Sequence, residues 1–503
     1  MVDDAPSASV DADIGHRAAA GVAWLTAQKW VVRLAGLATI AILTRLLTPA
    51  DFGVVAAALT VLPFFYLLSD LGFATYIVQA ADPDQRTLST GFWFSTGAGV
   101  VLAAALVAGA PLFGVVFGSP DVVPVMQALS IAVILTGVAS VPTALLRRRM
   151  QFRALAGQGL FASLVGQAVA VAMAITGLGV WALVGQTLAA QVVTTVLAAV
   201  AARWLPSWRF AWAQFRTMAS FGTKVLGVEL VAMTRAAVEA AIISSVLGLT
   251  AYGYLAIAQR LVQIVQDLTG AAVLPVTTVA FAKLRESAER LTAAYLRALR
   301  MIYALMAPPL VLLAVAAPLI IPIVFGPGWD DSFRVAQFLA LAGTVVVGAT
   351  LDHGLFYGLG MPGRWFFYAV VVDVLTVAVT AVAVHAGLVA VAVGFLVVAV
   401  VATVGRWFLV ARGLGTSVRP LVRPFCFLAT TVLASGAAGL AVVSATAPLP
   451  GILRIALAGV AVLVAHGVVA WLLVRPVFGD LAGYLSRLRR RGSVDGAERE
   501  DAR

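Results

Sequence analysis

The chain is built almost entirely from apolar runs of bilayer-spanning length, set end to end with breaks of only a few residues between them. About 20 predominantly apolar residues cross a bilayer core as a helix, and such runs recur from residue 19 to residue 474. With 62% of residues hydrophobic, 11% charged and a mean hydropathy of +1.01, no stretch is long or polar enough to form a separate soluble domain. The expected fold class is all-α, a polytopic membrane protein. Charge clusters and Gly/Pro breaks place fourteen spans at 19–46, 52–79, 88–117, 122–146, 154–176, 179–202, 220–247, 252–281, 296–325, 333–358, 364–386, 388–411, 424–446 and 452–474.

A net charge of +11 would suggest nucleic acid in a soluble protein. Here the basic residues sit in short loops, where they set orientation, and no nucleic-acid partner is expected. Alternate loops carry Arg86; Arg147, Arg148, Arg149 and Arg153; Arg203, Arg209 and Arg216; Lys283, Arg285 and Arg290; Arg364; Arg412, Arg419 and Arg423. The opposite loops hold little beyond Arg45, Arg334 and Arg454. Lys/Arg-rich short loops stay on the cytoplasmic side, so both termini are expected there, in agreement with the tail "RLRRR" at 487–491. The segment ahead of the first span carries Asp3, Asp4, Asp11 and Asp13 and lacks a basic leader, so that span is expected to act as its own insertion signal. The single cysteine, Cys426, excludes an intramolecular disulfide.

The stretch "LTRLLTPADFGVVAAA" (43–58) interrupts the first apolar region and returns as "SSVLGLTAYGYLAIA" at 244–258. A shift of 200 positions lays Leu47, Gly53 and Ala56 on Leu247, Gly253 and Ala256, with Phe52 opposite Tyr252. Thr48 is expected as an N-cap, Pro49 at the first helical position and Asp51 near the positive helix end. The echo predicts a duplicated lobe: an N-lobe at 19–202, a C-lobe at 220–411, a terminal helix pair at 424–474, a cytoplasmic tail at 1–18 and a basic tail at 475–503. Two lobes of six helices share one orientation and are expected to be related by a pseudo-two-fold axis along the membrane normal. Between them, "PSWRFAWAQFRTMASFG" (206–222) interleaves aromatic and basic residues, which predicts an amphipathic helix lying in the inner interface as the linker over 203–219.

The blocks "AILTRLLTPADFGVVA" (41–56), "LLSDLGFATYIVQ" (67–79), "ALLRRRMQFRALA" (144–156) and "FGTKVLGVELVAMTRAAVEAAIISSVLGLTAYGYLAIAQRL" (221–261) together resemble the Wzx-type polysaccharide flippases. That family belongs to the multidrug/oligosaccharidyl-lipid/polysaccharide (MOP) exporter superfamily, alongside the MurJ lipid II flippases. By motif the resemblance covers the N-terminal three-fifths of the chain, and the remainder by helix count. It implies transport of an undecaprenyl-diphosphate-linked oligosaccharide from the inner to the outer leaflet of the bacterial cytoplasmic membrane, for surface polysaccharide synthesis. Further implications are a cavity that opens alternately to either side, no catalytic residues and no cofactor. Polymerase and glycosyltransferase machinery would be the neighbouring partners.

Ionisable side chains inside spans cost at least about 2.5 kcal/mol each and face a partner or a watery cavity. Lys29 and Arg33, four apart, share a sector of about 80° with Thr26 and Thr44. Lys224, Arg235 and Glu239 fall within about 60° on the seventh span, with Glu229 off that face. Arg260, Gln263 and Asp267 form one stripe on the eighth. For a diphosphate-linked glycan, the substrate-contacting candidates are Lys29, Arg33, Lys224, Arg235, Arg260 and Gln263. Arg235–Glu239 and Arg260–Asp267 also read as pairs that hold helices together, and Lys29 and Arg33 as snorkelling cations. Asp70, Glu239 and Asp267 have two readings, coupling to H+ or Na+ and structural pairing.

Enzyme-like signals fall away. "GLGMPG" (358–363) follows a span and lacks the strand a dinucleotide fingerprint needs, so it reads as a helix-ending turn. Asp330 and Asp331 read as helix capping. His353, His385 and His466 lie in separate spans and no metal site is expected. "RRRMQFR" (147–153) reads first as a topology signal, with binding of anionic lipid heads or recruitment of a cytoplasmic partner as the other readings. The rival functions are a MATE-like drug or cation antiporter of the same superfamily and a membrane polysaccharide polymerase. The polymerase would be expected to carry a large outer loop, and the outer loops here are a few residues long.

Overall fold

In lipid no water is available to the backbone, so each apolar run satisfies its own N–H and C=O groups by forming helix. The computed structural model describes residues 28, 30–80, 82–270, 281, 284 and 287–473, apart from the side chains at 223–229, 232 and 268–270. The expected tails at 1–18 and 475–503 lie outside the described residues. The helices are α1 (30–46), α2 (Pro49–Asp70), α3 (Phe73–Gln79), α4 (Gln85–Val116), α5 (Val122–Arg148), α6 (Phe152–Ile175), α7 (Trp181–Ala202) and α8 (Trp212–Gly270). They continue with α9 (Ala288–Phe325), α10 (Asp331–Val346), α11 (Ala349–Gly358), α12 (Pro362–Ala383), α13 (Leu388–Leu414), α14 (Arg419–Ala445) and α15 (Gly451–Leu473). Among the described residues, 12 helices are long and apolar enough to span a membrane, against the fourteen expected. The difference lies in α1, described only from residue 28, and in α8, which runs through the expected seventh and eighth spans.

Two compact units partition the chain. One comprises residues up to Ala258 with 324–332 and 373–391; the other comprises 259–323, 333–372 and the residues from Ala392 onward. In the first unit α4 packs on α5, α6 on α7, and α5 also touches α2, α3 and α7. In the second, Tyr295, Leu299, Tyr303, Leu351, Phe356, Val410 and Phe427 join α9, α11, α13 and α14 in one apolar core. The terminal pair α14–α15 docks against α9, where Gly439 lies against Val315 and Gly459 against Leu312.

The turn after α1 has the expected cap. Thr48 is extended (φ −85°, ψ 158°), its hydroxyl accepts from Asp51 N–H, Asp51 Oδ2 accepts from Thr48 N–H at 2.9 Å, and Pro49 opens the helix. Its counterpart in the later copy, Gly248, is the one non-helical residue inside α8 (φ 83°, ψ 164°). A non-helical residue therefore leads into the second helix in both copies. At Gly248 the positive φ replaces the cap, a conformation open to glycine at no steric cost.

The two copies meet reciprocally. A Cβ on Gly53 would lie 1.8 Å from Leu249 O, and one on Gly253 would lie 1.9 Å from Pro49 O. The helices thus cross backbone to backbone, each glycine under the first turn of the other, the close approach that small residues permit in membranes. Two further loops make matching contacts: Gly118 (φ 70°) sits over Ser245, and Gly326 (φ 86°) over Arg45. Phe117 and Phe325, which precede them, are both buried.

Trp329, in the α9–α10 loop, is 1% exposed, and its indole N–H donates to Thr44 O at 2.9 Å. The ring meets Phe52 edge-on at 5.3 Å and Tyr254 at 6.0 Å. A bulky wedge from one loop therefore fills the junction of both copies.

Four local readings are revised or refined. The expected span 52–79 is broken at Leu71 (φ 47°) and Gly72 (φ 73°), where Asp70 accepts from Ala74 N–H to start α3. Span 333–358 divides into α10 and α11 beside Gly348. The linker is not one amphipathic helix: 204–211 forms no helix, which begins only at Trp212, because side chains of α4 take over the backbone hydrogen bonds of this stretch. In "RRRMQFR", Arg148 donates to Ile77 O and Ala80 O, and Arg149 to Ala202 O at 2.6 Å, so both cap helix C-termini.

Substituting Gly53→Ala or Gly253→Ala forces the two helices apart. Thermal melts of the purified protein in detergent are expected to show a loss of roughly 1–3 kcal/mol or no folded protein. Gly97→Ala, with nothing within 4 Å of its added methyl, is expected to melt like wild type.

Candidate functional site

An apolar span tolerates an arginine only if its donors are met. Arg235, on the first limb of α8, meets them with two carboxylates. Its Nη1 lies 2.9 Å from both oxygens of Glu239, one turn on, and its Nε lies 2.9 Å from Asp373 Oδ1 on α12. Glu239 is buried, Asp373 is a fifth exposed and Arg235 a third exposed. The i,i+4 spacing read from sequence therefore does form a pair, and Asp373 extends it to a clasp with one positive and two negative charges. A guanidinium carries five donors; these contacts use Nε and Nη1 and leave Nη2 outside them.

Arg33 is half-buried on α1, and Lys29 lies outside the described residues, as does the Lys224 side chain. Thr44, grouped with them by the helical wheel, is buried and turns its hydroxyl back to Ile40 O and Ala41 O. On the second limb of α8, Arg260 and Gln263 are exposed, and Gln263 Nε2 donates to Asp267 Oδ1 at 2.9 Å. Asp70 accepts from Ser140 Oγ and from Ala74 N–H, which ties it to α5 and to the start of α3. Among the described residues no group of three or more His, Cys, Asp or Glu could hold a metal ion.

A second charged centre was missed from sequence. In the second unit Asp352 (α11) and Arg406 (α13) form a fully buried ion pair, Nη1 to Oδ2 at 3.2 Å, with side-chain exposures of 0% and 2%. Tyr295 OH donates to Asp352 Oδ1, and Arg406 Nη2 donates to Tyr303 OH at 3.2 Å. Gly348 leaves room for this cluster, since a Cβ there would lie 2.4 Å from Tyr303 OH and 2.9 Å from Arg406 Nη2. The ion pair is a charge contact without hydrogen-bond alignment: Arg406 Nη1 and Nε and Asp352 Oδ2 have no hydrogen-bond partner among the described residues. Asp352, Asp373 and Arg406 have no ionisable residue three or four positions away on their own spans, so a search for stripes along one helix passes over them. Their partners lie on other helices, and lone ionisable residues in apolar runs were the available signal.

The helical arrangement matches two solved folds. The lipid II flippase MurJ in an inward closed conformation superposes with a TM-score of 0.72, covering 90% of this chain and 99% of that one at 11% identity. An inward-facing multidrug resistance MATE transporter of the MOP superfamily gives 0.62, covering 76% and 95% at 16% identity. The chain thus has the fold of the MOP-type membrane transporters. Residues 42–334 match the family described as polysaccharide biosynthesis protein, more than half of the chain, and the protein belongs to that family. Its relatives include the succinoglycan biosynthesis transport protein ExoT of Rhizobium meliloti, 26% identical over 394 residues, 76% of this chain and 80% of the relative. The lipopolysaccharide biosynthesis protein WzxC of Escherichia coli is 23% identical over 428 residues, 84% and 87%. The teichuronic acid biosynthesis protein TuaB of Bacillus subtilis is 22% identical over 427 residues, 81% and 86%.

Breaking the buried pair from one side leaves an unpaired charge. Asp352→Asn or Arg406→Met alone is expected to cost about 3–5 kcal/mol in detergent unfolding. The double substitution Asp352→Leu/Arg406→Met is expected to recover much of that loss.

Proposed function

We propose that the chain is a flippase that carries an undecaprenyl-diphosphate-linked oligosaccharide from the inner to the outer leaflet of the bacterial cytoplasmic membrane by alternating access. The observation that carries this reading is family membership with relatives named for three different surface-glycan systems, succinoglycan, lipopolysaccharide and teichuronic acid. A glycan that differs among systems and a lipid carrier that does not would suit relatives whose shared part is the membrane fold. The MATE-like antiporter reading draws on fold alone, which does not fix a cargo.

In this reading the lobes are 19–202 and 220–411, with both termini cytoplasmic and the Gly53/Gly253 crossing on the outer side. The short outer turns and the Trp329 wedge close that end, and the substrate head group enters from the cytoplasm. The diphosphate is met by cationic side chains inside the bundle: Arg33 and Arg235, with Lys29 and Lys224 on the same faces by sequence. Arg260 and Gln263 serve the sugars. Arg235 is poised for an anion because its two carboxylates hold the guanidinium through Nε and Nη1 and take up no donor of Nη2. Glu239 and Asp373 then act as positioning residues, and the clasp brings the arginine to the anion already oriented.

Arg235→Gln in cells is expected to trap lipid-linked oligosaccharide in the inner leaflet, with affinity for the diphosphate head group reduced roughly 10- to 100-fold. Loss of folding is separated by replacing the whole clasp: Arg235→Met/Glu239→Gln/Asp373→Asn restores the melting temperature without restoring export if Arg235 binds substrate. Recovery of both would show that the clasp only holds helices together. Thr60, on α2 with its hydroxyl 3.1 Å from Tyr252 OH, gives a reporter position: in a Thr60→Cys/Cys426→Ser background, Trp329→Ala is expected to raise labelling by a membrane-impermeant thiol reagent added from outside. Unchanged labelling would remove Trp329 from the outer closure.

A further inference from the structure

The non-helical segment between α7 and α8 is held in shape by the first turns of α4. Gln85 Nε2 donates to Leu205 O at 2.8 Å, and Trp204 Nε1 donates to Gln85 Oε1 at 2.6 Å. Ser207 N–H donates to Ser89 Oγ at 2.9 Å, Trp93 Nε1 to Ser207 O at 2.8 Å, and Ala211 N–H to Thr90 Oγ1 at 3.0 Å. These hydrogen bonds replace the helical ladder that the segment lacks.

The strap nevertheless turns its apolar side chains outward. Leu205 is 83% exposed, Trp208 88%, Trp212 57% and Phe210 49%. Trp208 is oriented by a stack on Trp93, with centroids 4.4 Å apart and planes at 25°. Arg203, Arg209 and Arg216 are exposed among them, and the Arg216 guanidinium lies 5.6 Å from the Trp212 ring centre. Arg86 is exposed at the adjoining start of α4. Of the nearby carboxylates, Asp84 is engaged in capping α4 through Thr87 N–H at 2.8 Å, and Asp82 is exposed. Cations thus outnumber acids across the patch.

An exposed row of tryptophan, phenylalanine and leucine, fixed in position before anything binds it, is a poor solution for a surface in bulk water. It suits the membrane–water interface, where the rings sit at headgroup level. The interleaved arginines add a charge preference, and each cation near an anionic bilayer surface raises binding about fivefold. Holding the strap rigid removes the ordering cost that a flexible loop would meet on binding.

We propose that the non-helical strap 203–211, together with the first turn of α8 to Arg216, is a headgroup-reading surface. Leu205, Trp208, Phe210 and Trp212 enter the cytoplasmic interface, while Arg203, Arg209 and Arg216 engage the phosphates of anionic phospholipids. This assignment does not depend on the cargo of the protein.

The test uses the full chain in nanodiscs of phosphatidylcholine doped with either brominated phosphatidylglycerol or brominated phosphatidylcholine, with tryptophan quenching as the readout. The brominated anionic lipid is expected to quench more, and Trp208→Phe to remove most of that difference. Arg209→Gln/Arg216→Gln is expected to weaken the preference for phosphatidylglycerol by about 25-fold, fivefold per arginine, with unchanged melting. Equal quenching by the two lipids would overturn the proposal and leave an unselective aromatic belt. So would a preference that survives the arginine substitutions, or one seen only when undecaprenyl phosphate replaces phosphatidylglycerol.

Discussion

The close approach of α2 and the second limb of α8 at Gly53 and Gly253 constrains everything around it. Each glycine lies where any side chain would overlap the carbonyl of the other helix's first turn, so the two copies of the helix-turn-helix are fixed back to back. In lipid there is no hydrophobic drive between helices, and close backbone packing is one of the few forces that can hold them together. The caps before each glycine set where the helices begin: a Thr48–Asp51 box in one copy and a left-handed Gly248 in the other. Trp329 then fills the junction from a third segment, and its single polar atom is satisfied by Thr44 O.

With that junction held by backbone and aromatic packing, charge is kept for other places. Arg235 is shared between Glu239 and Asp373 and remains a third exposed, whereas Arg406 and Asp352 are sealed with two tyrosines. The difference in exposure separates what each arrangement can do. A sealed pair has no route to a solute and holds α11 to α13, with removal of one partner far more costly than removal of both. An accessible clasp can present its arginine to an anion while its carboxylates keep the guanidinium oriented.

The helical architecture and the recurring turn motif were legible because both are carried by local pattern: apolar runs of fixed length, and an aromatic–glycine pair that recurs at one fixed offset along the chain. The Thr48 cap was legible for the same reason, since capping residues act within one turn. Relations between distant helices were not. The second loop pair, "VFG" at 116–118 and at 324–326, is offset by 208 rather than 200 positions, because α9 is longer than its counterpart α4, so one fixed shift misses it. Asp352, Asp373 and Arg406 are single ionisable residues with no partner at helical spacing, and only the fold brings their partners to them. The linker was misread as helix because its Trp–Arg alternation resembles an amphipathic pattern, whereas hydroxyls and an amide on α4 supply its backbone with partners.

A transporter fold, membership of a polysaccharide biosynthesis family and an exposed arginine held inside an apolar span are the grounds for the proposed movement of an anionic lipid-linked glycan. The most direct measurement reconstitutes the purified chain into liposomes carrying undecaprenyl-diphosphate-linked oligosaccharide in the inner leaflet and follows its arrival outside with a membrane-impermeant glycan-cleaving enzyme. Protein-dependent arrival in the outer leaflet, lost with Arg235→Gln, is the predicted result. Arrival no faster than in protein-free liposomes, for glycans drawn from the protein's own host, would contradict the account.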